Sequence, residues 1–257
     1  MITSTANQQV KQLLQLNKKA KLRDAKDVFV AEGPKMFREA PKERIEKVYL
    51  SESFFEKQIQ KKLLEGISYE VVQDHIFKVM CDTQTPQGIL CLVKQFHYTL
   101  EELLKTKNPL FLLLENLQDP GNVGTILRTA EGAGITGVIL NKGSADIYNP
   151  KTIRSTMGSI YRVPFLYTED LRKVLEVFKK QSIRSYAAHL EGSREYDREN
   201  YQSGTAFLIG NESKGLSKEL TAYADTYIRI PMEGKLESLN AAAAASILLY
   251  EAYRQRR

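Results

Sequence analysis

The chain has 257 residues, 42% of them hydrophobic and 26% charged, with 37 basic against 31 acidic side chains and a formal net charge of +6. That length suits one large or two ordinary domains, and the apolar fraction suffices for packed cores, which excludes a disordered or fibrous protein. No apolar run approaches the roughly 18 residues of a membrane span and MITSTANQQVKQ has no apolar signal region, so the expectation is a cytoplasmic protein with no membrane partner. The positive excess permits a polyanionic partner without demanding one. Cys81 and Cys91 have no disulfide or zinc spacing around them, and His75, His97 and His189 no ligand spacing, so two reduced thiols and no metal are expected.

Residues 1–95 read as a small α/β unit. A helical stretch from Asn7 to Leu22 precedes an FVAEG strand, a helix near Pro34 to Ala40, a KVYL strand, a helix across Phe54 to Leu64, a YEVV strand and GILCLV. Between Lys11 and Lys26 the basic residues Lys11, Lys18, Lys19, Lys21, Arg23 and Lys26 meet one acid, Asp24. A solvated helix face and an RNA-binding face both account for that cluster. Residues 96–108, polar and lysine-rich around LEELL, read as a linker.

From 109 to 257 the alternation is regular. LFLLLEN is a strand, Asn122 to Glu131 a helix after a QDPG turn, GVILN a strand and Asn149 to Met157 a helix. VPFLY, SYAAHL, AFLIG and TYIRI are further strands, with helices at Thr168 to Gln181 and Ser217 to Tyr223 and a long final helix. Continuous apolar strands separated by helices indicate a parallel sheet covered on both faces, and such sheets bind ligands at the carboxyl ends of their strands. The loops after Leu114, Leu190, Ile209 and Ile230 therefore surround one candidate pocket. Asn122 reads as the cap of its helix, and Ser238 or Asn240 as the cap of the last one.

Two phosphate motifs fail on context. Gly132, Gly134 and Gly137 fit GxGxxG but follow a helix and precede a strand, the reverse of a dinucleotide fingerprint, which removes a nucleotide-dependent oxidoreductase. Gly210 and Gly215 have P-loop spacing, but Leu216 stands where the lysine must be.

Three ordered stretches, NVGTILRTAEGAG at 122–134, GNESKGLS at 210–217 and IPMEGKLESLNAAAAA at 230–245, resemble the motifs of the SpoU (TrmH-like) branch of the SPOUT methyltransferases. The resemblance implies transfer of a methyl group from S-adenosyl-L-methionine to a ribose 2'-hydroxyl of RNA, by a carboxyl-terminal parallel-sheet domain with a deep trefoil knot. ITSTANQQVKQLLQL, FVAEGPKMFREA and DTQTPQGILCLV are similar to the substrate-binding domain that precedes it in many such enzymes, an α/β domain similar to a ribosomal protein fold. The same resemblance implies structured RNA as partner, ribosomal favoured over transfer RNA, and a homodimer without metal. A catalytically inactive RNA-binding protein is the alternative.

The resemblance also assigns residues. It carries Asn122, Arg128, Glu212, Ser238 and Asn240 over as active-site residues, Glu212 orienting Arg128 or substrate. Gly210, Leu190, Ile230, Met232 and Leu239 fall to the cofactor, and Arg154, Lys18, Lys19, Lys21 and Arg23 to RNA. Arg128 has been regarded in the family as the general base, yet arginine with a pKa above about 12 keeps its proton. A clamp on the substrate phosphate is the role its chemistry supports.

Overall fold

A computed structural model describes residues 1–57, 61–190, 194–235 and 238–257. Residues 58–60 of the helix expected across Phe54 to Leu64, and 236–237 of the third motif, lie outside the described residues. The chain divides into two compact units, Met1–Phe96 with Asp146–Tyr161, and His97–Ala145 with Arg162–Arg257.

In the front unit Asn7 caps α1 (Gln8–Lys18), its side chain accepting from the Gln9 amide at 2.8 Å. The chain is extended at Lys19 (φ −118°, ψ 106°) and restarts as α2 (Ala20–Lys26), so the single helix expected from Asn7 to Leu22 is two. There follow β1 (Val28–Glu32), α3 (Pro34–Glu39), β2 (Ile45–Ser51), α4 (Glu52–Lys57), β3 (Tyr69–Val72), α5 (Asp74–Met80) and β4 (Ile89–Lys94). Sequence periodicity does not announce α5, which is only two turns long but buries Ile76, Phe77 and Met80. The strands form a mixed sheet in the order β1-β4-β2-β3, with β2 and β3 parallel. Alternation along β1 and β4 sends Val28, Val30, Leu90 and Leu92 to one face, against Leu13 and Leu16 of α1 and Phe77 of α5.

The back unit contributes α6 (Leu100–Leu103), β5 (Leu110–Leu114), α7 (Pro120–Gly132) and β6 (Gly137–Asn141). Next along the chain come α8 (Pro150–Thr156), β7 (Phe165–Thr168), α9 (Leu171–Lys180), β8 (Arg184–Ala188), β9 (Arg194–Glu195), β10 (Thr205–Ile209), α10 (Lys218–Thr221), β11 (Thr226–Arg229) and α11 (Ala241–Arg256). Of these, α8 packs with the front unit. Tyr148 stacks on Phe29 of β1 with centroids 4.8 Å apart, and the Tyr161 hydroxyl donates to the Met36 carbonyl at 3.0 Å. A linear division of the chain does not reproduce that placement, because the aromatic contacts holding residues 146–161 are distant in sequence.

The back sheet is parallel as expected, but among the described residues it has seven strands, in the order β7-β6-β5-β10-β8-β11-β9, the seventh being the two-residue β9 in a stretch whose polar composition reads as a loop. Every residue of β5 and β10 is buried, as unbroken LFLLL and TAFLI runs require of strands covered on both faces. Leu171, Val174, Leu175 and Phe178 recur at i, i+3, i+4 and i+7 along α9 and are buried, Phe178 stacking on Phe111 at 4.7 Å. The alanine run opening α11 buries Ala241, Ala242 and Ala245 and turns Ala243 to solvent. Since all strands run the same way, their carboxyl ends share one edge. At that edge β5 has β6 on one flank and β10 on the other, the reversal of strand order where such sheets bind ligands.

Candidate active site

The site begins with how α7 starts. Asp119 caps it, its carboxylate accepting from the Asn122 amide at 2.8 Å, with Pro120 in the first turn where its missing N–H costs nothing. Asn122 is therefore not the cap expected from the sequence. The correction has a physical reason. An acid followed directly by proline is the stronger start signal, and moving the cap to Asp119 frees the Asn122 side chain for other bonds.

Those bonds cross the sheet edge. The Asn122 amide donates from Nδ2 to Glu212 Oε1 at 3.1 Å, and its Oδ1 accepts from Asn240 Nδ2 at 3.0 Å. Asn240 in turn caps α11, its Oδ1 accepting from the amides of Ala242 at 2.9 Å and Ala243 at 3.3 Å. One chain of hydrogen bonds thus links the turn after β10 to the amino ends of two helices. The Glu212 carboxylate also takes the amides of Asp119 at 3.0 Å and Gln118 at 3.2 Å. Partial burial pushes this carboxyl up. The bonds from its own amide, Asp119, Asn122 and Gln118 outweigh that and hold it below the usual carboxylate range.

Glu212 can hold this position because its turn is rigid. Asn211 and Gly215 exchange backbone bonds at 3.0 and 2.9 Å, with Gly215 at φ +67°. A side chain on Gly210 would meet the Gly215 carbonyl carbon at 2.1 Å, so this glycine is demanded by the turn itself. Asn211 Nδ2 donates to the Asn116 carbonyl at 2.7 Å, tying the turn to the end of β5. Glu115, the next residue after β5, accepts from the Ser217 amide at 2.7 Å and its hydroxyl at 2.6 Å, fixing the far end of the same turn. Sequence reasoning misses Asp119, Glu115 and Asn116; only Asp119, before proline, carries a legible signal.

Other expected residues stand apart from this network. Arg128 lies on the exposed face of α7, and among the described residues nothing bonds or pairs with it. The expected pairing of Glu212 with Arg128 is absent, since that carboxylate is occupied by Asn122 and two backbone amides. Ser238 is exposed and does not cap α11. At the carboxyl edge Leu190 is 66% exposed, while Ile230, Met232 and Leu239 are half-buried.

The RNA-contact expectations divide. Lys18, Lys19 and Lys21 are exposed on the front unit. Arg23 is 3% exposed, its guanidinium paired with Asp146 and donating to the carbonyls of Leu16 and Asn17, so it is a structural residue and not an RNA contact. Net charge along the segment could not reveal that an acid far along the chain claims it. Arg154, on α8, pairs with Asp82 at 2.5 Å in the front unit.

Residues 109–250 match the SpoU rRNA Methylase family and residues 7–91 an MRM3-like substrate binding domain. The 23S rRNA (guanosine(2553)-2'-O)-methyltransferase RlmP of Bacillus subtilis is 33% identical over 251 residues, 97% of each chain. The AdoMet-bound rRNA methyltransferase from Sinorhizobium meliloti superposes with a TM-score of 0.85 at 31% identity, covering 98% of this chain and 97% of that one. The SpoU methyltransferase AviRb from Streptomyces viridochromogenes, in complex with AdoMet, gives 0.86 at 25% identity over 97% and 98%.

Proposed function

The chain belongs to the SpoU rRNA Methylase family, and from that premise we propose that it transfers a methyl group from S-adenosyl-L-methionine to a ribose 2'-hydroxyl, in ribosomal RNA before transfer RNA. The observation that carries the reading is the Glu212–Asn122–Asn240 relay, which joins all three family motifs at the carboxyl edge of the sheet.

The cofactor when bound supplies the methyl electrophile as a sulfonium, so no metal is called for. Leu190, Ile230, Met232 and Leu239 would hold its apolar parts, and the Gly210 backbone would offer it a close approach. Asn122 and Asn240, each fixed at both ends of its amide, align the acceptor ribose, and alignment lowers the barrier to an in-line displacement. Glu212 keeps the α7 start in register as an ionised anchor; with three donors on its oxygens it orients and does not take the ribose proton. Arg128 stays protonated, and its fork is open to grip a substrate phosphate bidentately. Ser238 completes the polar side. Residues 1–95 select structured RNA through Lys18, Lys19 and Lys21, with Arg154 joining them from the 146–161 segment that packs with the front unit, while the rest of 109–257 performs the chemistry. With its family the protein works in the cytoplasm as a knotted homodimer.

The test is to incubate the protein with labelled S-adenosyl-L-methionine and, separately, unmodified ribosomal and transfer RNA, then digest and weigh the nucleosides. A 2'-O-methylated nucleoside from ribosomal RNA is expected. No cofactor binding and no methyl in either RNA would reject methyl transfer in favour of an inactive RNA-binding protein, whereas cofactor binding without transfer would point to a different RNA or an assembly intermediate as substrate.

A further inference from the structure

A second cluster of charge lies at the far edge of the back sheet, where β9 adds to β11 in parallel, Arg194 opposite Ile228 and Glu195 opposite Arg229. There Arg184, Arg194, Arg198 and Arg229 share two carboxylates. Glu199 is almost wholly buried and accepts from Arg194 at 2.8 Å, with Arg184 at 3.8 Å on its other oxygen. Glu195 has Arg198 and Arg229 each at 3.8 Å, beyond hydrogen-bond reach. Asp197 is the other acid of the turn among the described residues, so four guanidinium groups stand against three carboxylates. Among the described residues the cluster thus carries more guanidinium than carboxylate.

Its frame is rigid. Tyr201 is fully buried against Tyr186 and Phe207, both edge-on at 4.9 Å. The Tyr201 hydroxyl donates to the Tyr196 carbonyl at 2.6 Å and Tyr186 donates to that of Asn200 at 3.1 Å, which pins the turn carrying Arg198. Arg194, Arg198 and Arg229 line a cleft of about 420 Å³ with Glu195 and Glu199, and remain 57%, 77% and 51% exposed. A core ion pair buries its charges; here Glu199 alone sinks, Glu195 stays 40% exposed, and the guanidinium forks stay in water. Forks with free paired donors match the two non-bridging oxygens of a phosphodiester.

We propose that this cleft is a binding site for the phosphodiester backbone of the substrate RNA, built into the catalytic unit and separate from the carboxyl-edge relay. It rests on RNA being the substrate. Arg198 and Arg229 grip phosphate, Arg194 is held in place by Glu199, and Glu195 is the internal competitor that the phosphate displaces.

The test measures equilibrium binding of unmodified ribosomal RNA against salt concentration, with S-adenosyl-L-methionine affinity alongside. The double variant Arg198→Gln/Arg229→Gln is expected to weaken RNA binding roughly 10-fold at low salt and to flatten the slope of log K on log salt by about 2, with cofactor affinity kept. Glu195→Gln should move the other way and tighten binding a few-fold, a sign that a merely structural ion pair would not give. Wild-type affinity and slope in the double variant would overturn the site. A wild-type protein that binds RNA with this salt response yet transfers no methyl would sink the methyl-transfer reading and leave the cleft standing.

Discussion

Arg23 of the front unit and Glu212 of the back unit are both charged side chains engaged by several partners, and they do opposite things. Arg23 reaches carbonyls six and seven residues away on its own helix pair and one acid, Asp146, and is closed off from water. Glu212 stays at the surface and takes donors 90 to 94 residues distant, from the loop after β5 and from α7. A buried charge paired within its own core holds a fold in place. An accessible charge that ties together loops from several strand ends holds a site.

Substitutions can break that contrast. The largest effect is expected from Glu212→Gln, which replaces an anion holding three donors with an amide. At about 1.5–3 kcal/mol for a bond to a charged group, single-turnover methyl transfer should fall about 100-fold with cofactor affinity nearly unchanged. A fall in affinity of the same size would mean that Glu212 serves binding instead. Arg23→Ala should do the reverse, lowering the urea-unfolding free energy by about 2 kcal/mol because Asp146 and two carbonyls lose their partner, while the rate per folded molecule holds. A full-stability Arg23→Ala protein with weakened RNA binding would restore it as an RNA contact.

Asp119→Ala comes next, at about 1 kcal/mol of stability for the lost cap and a fall in rate of about 10-fold as Asn122 shifts. Asp119→Ser, which can still cap, should recover most of both; recovery of stability alone would detach the cap from the site. Lys21→Ala should leave stability within about 0.5 kcal/mol and cost RNA affinity a few-fold, read as a salt slope smaller by about 1. The pH response of Glu212 sharpens the picture. A carboxyl whose folded pKa lies below its unfolded value near about 4.3 contributes stability that is full above that value and lost as pH falls through the folded pKa. The stability gap between wild type and Glu212→Gln should therefore be flat above about pH 5 and close in more acidic solution; a gap that widens on acidification would contradict the depressed pKa.

Much of this is legible in the residues. LFLLL, GVILN and TAFLI read as buried parallel strands because nothing in them suits a half-exposed sheet, and the pairing of their carboxyl ends follows from direction alone. The kinship of the three motifs points to Asn122, Glu212 and Asn240, which the fold brings into one chain of bonds. The cap of α7 escapes a sequence reading because Asn122 and Asp119 are both good caps, and only the backbone shows which amide is left open. Arg23 passes for an RNA contact in the sequence because Asp146, its partner, lies 123 residues away, and no local count of charge includes it. The placement of residues 146–161 with the front unit is equally hidden, resting on rings that meet only after folding.

The most direct test of the relay is a cycle of single-turnover methyl-transfer rates for Asn122→Ala, Glu212→Gln and the double variant, at saturating S-adenosyl-L-methionine. If Glu212 acts through Asn122, the double variant loses no more than the worse single one, since the second change removes an interaction already gone. Losses that multiply would show two independent contributions and contradict the account.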